Sequence, residues 1–84
     1  MTRPAPRRVT VGRILHYWTY EGARLIPNPA MVLAVGDDGA RLWVQVFWAS
    51  GAGGRDQLWA PAAPFGEDGE QAPTEGHWTW PVRV

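Results

Sequence analysis

The sequence predicts an all-β fold, a small SH3-like or OB-like barrel of about five short strands, and two observations carry the prediction. Ten Gly and eight Pro divide the 84 residues into short pieces. The longest piece free of both covers residues 40–50, too short for the helices of a bundle. Within the pieces apolar residues alternate with a period of two, the spacing of a strand with one buried face.

The first strand is expected over 9–18, where Val11, Leu15 and Tyr17 alternate with Ile14, His16 and Trp18. Residues 21–29 contain Pro27-Asn28-Pro29, which argues against a central strand and predicts a loop. A short apolar strand over 31–35 leads into Gly36-Asp37-Asp38-Gly39, a hairpin turn whose Gly and Asp tolerate positive φ. The returning strand, 41–48, has the clearest pattern. Leu42, Val44, Val46 and Trp48 form a core face, while Arg41, Trp43, Gln45 and Phe47 form a mixed second face. Gly51-Ala52-Gly53-Gly54 is a turn, 57–60 a fourth strand ended by Pro61, and 65–75 an acidic Gly/Pro-rich loop. A last strand is expected over 77–82, with Trp78, Trp80 and Val82 on one side.

Six Trp are many for a chain of this size: Trp18, Trp43, Trp48, Trp59, Trp78 and Trp80. A domain this small buries only about 60% of its unfolded surface and needs further contacts for stability. With no Cys and no zinc-type spacing, large aromatics or self-association must supply them. The domain division is an extended Pro/Arg-rich arm over 1–8, docking on a neighbouring subunit, and a single barrel over 9–84.

All eight basic residues are Arg, balanced by eight acids. Arg3, Arg7, Arg8 and Arg13 precede any acid, and Glu67, Asp68, Glu70 and Glu75 crowd one late segment. Such a dipolar chain suggests head-to-tail contacts or a local anion site. Zero net charge argues against a nucleic-acid polymer as partner. Residues 1–8 have the charge of a signal peptide but no apolar stretch after it. No apolar run approaches the roughly 20 residues that span a bilayer, so no membrane role is expected.

The order of motifs resembles a family of small phage and prophage proteins. Gly12-Arg13-Ile14-Leu15-His16-Tyr17 matches its G-x-I-x-H-Y opening strand, and Leu42-Trp43-Val44-Gln45-Val46-Phe47 follows the Asp38-Gly39 turn as its V-x-L-x-V-F strand does. Gly76-His77-Trp78-Thr79-Trp80-Pro81 is similar to its P-G-T-W-H-W-P ending, with Thr79 where the family has His and the His at position 77. The resemblance spans Gly12 to Pro81. It implies a virus-encoded small β-barrel and no established activity.

Catalysis is not expected: there is no Cys, and Ser50 is the one Ser, in a Gly-rich turn. His16 and His77 could meet if the first and last strands pair, but a structural His is the simpler reading, and no metal or cofactor is expected. Trp78 and Trp80, two residues apart, suit either core packing or a stacking platform. Arg41, Trp43 and Phe47 on one face suit either a subunit interface or a site that stacks a planar base and pairs with phosphate. The ligand-binding residues expected are therefore Arg41, Trp43, Phe47, Trp78, Trp80 and His16. Two functions follow. One is a non-catalytic binder that sequesters a nucleotide-like molecule, such as a host defence signal, in the host cytoplasm. The other is a homo-oligomeric virion structural or decoration-type accessory protein, partnered by itself or another virion protein.

Overall fold

Apolar side chains at alternate positions of four strands converge on one side of one sheet, and that side is the core. Leu15, Ala30, Val32, Leu42, Val44 and Ala60 are wholly buried, joined by Tyr17, Val46 and Trp78. The structure, a computed structural model, describes residues 8–49 and 55–81. It contains β1 (Ile14–Glu21), β2 (Arg24–Val35), β3 (Leu42–Val46), β4 (Gln57–Ala60) and β5 (Trp78–Thr79), with no helix among the described residues. The strands form one antiparallel sheet in the order β4-β3-β2-β1-β5. Four strands follow one another as a meander, and the last strand returns by a long connection to lie beside the first.

The sheet is open rather than a closed barrel. Its two edges touch where the chain runs on past β4: the Trp78 N–H donates to the Pro61 carbonyl and the Ala63 N–H to the Trp78 carbonyl, both at 2.9 Å. That isolated parallel bridge, Ala62 with Trp78, is the one backbone bridge between the edges among the described residues, and the Gln71 Nε2 donates to both the Ala63 and Trp78 carbonyls beside it (3.3 Å each).

The structure corrects the expected loop over 21–29. Glu21 pairs with Arg24 across a tight turn at Gly22 (φ 63°), and β2 runs unbroken through Pro27-Asn28-Pro29. The prolines are tolerated because of where their missing donors would point. The Pro29 carbonyl accepts from Phe47, on the β3 side, and in an extended strand a residue's N–H and C=O share a side. Pro27 has the same parity. Both positions lie beyond the end of β3, where no ladder bond to β3 is lost. Asn28, between them, faces inward and is 1% exposed. Its amide donates to the Tyr17 carbonyl (2.9 Å) and Thr19 Oγ1 (2.8 Å), and its Oδ1 accepts from the Ala49 N–H (3.0 Å).

Other boundaries shift for local reasons. β1 starts at Ile14 instead of residue 9 because Val11 and Gly12 turn, Gly12 at φ 90°, with the Arg13 N–H bonded to the Thr10 carbonyl. β5 is two residues long: Pro81, next on the β1 side after Thr79, has no N–H to donate, and the Trp80 N–H, on the other side, goes to the Gln71 side chain (2.8 Å). The 36–39 turn forms as expected, closed by Gly36 N–H to the Arg41 carbonyl (2.7 Å). The acidic segment carries an ordered turn of the same kind, with Phe65 bridged to Gln71 and Gly69 at φ 81°. Most of the expected arm and the expected 51–54 turn lie outside the described residues; Arg8 is exposed.

Candidate functional site: an aromatic outer face

The pairing register builds the second face of the sheet row by row. One row is Trp59, Trp43 and Ala34; the next is Gln57, Gln45, Met31 and Ile14. Pro29, His16 and Thr79 form a third, extended by Phe47, whose N–H reaches the Pro29 carbonyl at 2.8 Å. Pro27 and Trp18 form a fourth. An antiparallel sheet that meets water on one side normally carries polar residues there. This one carries Phe47 at 49%, Trp59 at 42% and Ile14 at 42% exposure. Most of its polar groups are spent on each other: Gln57 Nε2 donates to Gln45 Oε1 (3.0 Å) and Trp18 Nε1 to Thr79 Oγ1 (2.9 Å), while the buried His16 Nδ1 has no hydrogen-bond partner.

Arg41, Trp43 and Trp59 gather at one corner. The two indole rings lie 5.5 Å apart at 57°, and the Arg41 guanidinium sits 5.0 Å above the Trp59 ring. Beside them is an open cleft of about 540 Å³ lined by Val35, Gly36, Asp37, Asp38, Arg41 and Trp59. Asp38 Oδ1 accepts from the Arg41 and Ala40 N–H groups, both at 2.9 Å, and these bonds hold its carboxyl below the usual carboxylate range. Two carboxylates against one guanidinium make the cleft a poor place for a phosphate.

The other expected site residues fall elsewhere. Trp78 is 4% exposed and donates its indole N–H to the Ala40 carbonyl, so core packing describes it and a stacking platform does not. Trp80 packs edge-on against Trp78 at 5.9 Å, with the Arg13 guanidinium 5.3 Å over its ring. His16 does lie beside the last strand, but opposite Thr79, and its ring meets Trp18 edge-on at 6.3 Å. His77 turns its Nδ1 to the Glu75 carbonyl (2.7 Å). Among the described residues no group of three His, Asp or Glu side chains could hold a metal ion. Burial, with a lesser contribution from Glu75, raises the Tyr17 hydroxyl above its ordinary pKa, and Tyr17 belongs to the core.

Trp59 is the site residue that sequence reasoning did not single out. Its outward direction was readable, since Ala60 and Leu58 take the core side of the same strand. Its place opposite Trp43 depends on the β3–β4 register, which no motif specifies. No protein-family model, curated protein or solved structure matches this chain. No helix among the described residues is long and apolar enough to cross a membrane.

Proposed function

We propose that this protein is a non-catalytic β-sheet module that works by self-association, with the outer aromatic face as the contact between copies. The observation that carries the reading is the row Gln57–Gln45–Met31–Ile14 flanked by exposed Phe47 and Trp59, a face with apolar bulk and few free polar groups. Apolar bulk and aromatics with few charges are the composition of an interface centre. On the phage-type resemblance, such a module is a homo-oligomeric virion accessory protein. Sedimentation at micromolar concentration should give a dimer or larger species, and Phe47→Glu should return it to monomer. A wild-type monomer would end this reading. Recovery from infected cells but never from purified virions would end the virion assignment alone.

A second reading has one observation in its favour: the tilted Trp43/Trp59 pair with Arg41 alongside could stack a planar base. Against it stand Asp37 and Asp38, which would face any phosphate held by Arg41. On this reading nucleotides quench tryptophan fluorescence and Arg41→Ala weakens the effect; a flat titration with mono-, di- and cyclic nucleotides discards it.

A further inference from the structure

The two edges of the sheet differ. On the β5 side, the Trp78 N–H and C=O are both taken, by the Pro61 carbonyl and the Ala63 N–H. On the β4 side, the Val46 N–H donates to the Asp56 carbonyl. That bond turns the backbone of Asp56, Leu58 and Ala60 toward β3 and that of Gln57 and Trp59 outward. Among the described residues nothing bonds to those two outward N–H groups or to their two carbonyls. Pro61, the next outward residue, spends its carbonyl on Trp78 and ends the open stretch. Natural sheets guard such an edge with a charge, a proline or a bulge. Gln57–Ala60 carries none of these, and its pairing with β3 is regular. We infer that the β4 edge pairs antiparallel with the β4 edge of a second copy, joining face-paired dimers into a tetramer.

The strand is complementary to itself in one register. A two-fold axis normal to the sheet at Leu58 sets Gln57 opposite the second copy's Trp59, and Trp59 opposite the second copy's Gln57. The free N–H and C=O groups of both strands are then all used, in four backbone hydrogen bonds. Leu58, partly buried against its own core, meets the second copy's Leu58. An axis at Gln57 instead sets Leu58 against the Asp56 carboxylate, and one at Trp59 sets Gln57 against Pro61, which has no N–H to give. A second copy is the partner because Gln57 and Trp59 belong to both the edge and the outer face. The edge axis is normal to the sheet, whereas the axis relating two copies across the outer face lies in the plane between them. Perpendicular two-folds that cross close as a tetramer, here two ten-stranded sheets packed on their aromatic faces. Its two edge contacts form together, each raising the effective concentration of the other. Four backbone bonds alone do not offset the cost of bringing two chains together, so the edge contact depends on the face contact.

The inference rests on self-association through the outer face, and three variants separate the two contacts. Gln57→Pro removes an N–H that points away from β3, so the sheet keeps its ladder while the edge loses a donor. In sedimentation the wild type should run as a tetramer, and Gln57→Pro as a dimer with an unchanged circular dichroism spectrum. Gln57→Ala loses the same side-chain bond to Gln45 but keeps the backbone N–H, and should remain a tetramer. The chain has no Cys, and Leu58→Cys sets two thiols at a non-hydrogen-bonded pair with Cα atoms about 4.5 Å apart, within disulfide reach. Oxidised glutathione should therefore cross-link that variant in pairs. A wild-type dimer that Gln57→Pro leaves unchanged, or a Leu58→Cys protein that does not cross-link, would overturn the edge pairing and leave the face contact standing. An open polymer that Gln57→Pro cuts to dimers would keep the pairing and overturn the closed tetramer. A wild-type monomer would end the face contact and the edge contact together.

Discussion

Asn28 shows how much one side chain decides here. It occupies a core-facing position between two prolines and joins three segments through its amide: β1 at Tyr17 and Thr19, its own strand, and the chain beyond β3 at Ala49. Asn28→Ala removes all three bonds and leaves the Ala49 N–H without its acceptor. Each lost bond costs about 1 kcal/mol. The variant should lose about 2–4 kcal/mol in urea denaturation, a large share of what a small domain has. Asp38 makes a separate prediction at this scale. Its folded pKa is depressed by the Arg41 and Ala40 N–H groups. The stability it adds is therefore present above the unfolded carboxylate pKa and is lost as the pH falls through the folded value. Asp38→Asn keeps an acceptor oxygen but does not titrate. Its unfolding midpoint should fall less steeply than wild type at acid pH, and parallel curves would remove Asp38 from the acid response.

At the scale of elements, β3 was the most legible part of the sequence and β2 the least. The alternation of Leu42, Val44 and Val46 against Trp43 and Gln45 is a direct consequence of strand geometry, and it holds in the fold. Val46 is 2% exposed, so Val46→Asp buries an unpaired charge and should abolish folding by circular dichroism. Gln45→Asp, on the outer face, should stay folded with a modest loss from its broken bond to Gln57. β2 was unreadable because Pro propensity is a rule about ladders, and whether a ladder runs past Pro27 and Pro29 depends on where β3 stops. The bulge between Val32 and Ala34 hid a second fact. It shifts the β2–β3 register by one residue, bringing Val35 opposite Leu42 and Ala34 opposite Trp43. The candidate site was legible to the same degree. Trp43 and Phe47 followed from β3 alone, whereas the Trp43–Trp59 pair and the burial of Trp78 needed the register of other strands.

For the whole molecule, the balance between core and surface leads to a thermodynamic expectation. A single open sheet has two faces, and here the connections and Trp78 cover only one. The core combines Ala30, Val32, Val44 and Ala60 with Leu15, Leu42, Tyr17 and Trp78, yet large apolar side chains remain on the outer face as well, Phe47, Trp59 and Ile14 each more than 40% exposed. Folding of an isolated chain therefore leaves a sizeable part of the hydrophobic driving force unused, and covering the outer face with a second copy recovers it. If the native unit is an oligomer, association is linked to folding by mass action. The melting temperature should then rise with protein concentration, by a few degrees for each tenfold increase in a domain of this size. Phe47→Glu should flatten that dependence, because a charge at a 49% exposed position opposes association far more than it opposes folding. A wild-type melting temperature independent of concentration, measured by calorimetry over two decades, would assign the outer face to something other than a second copy.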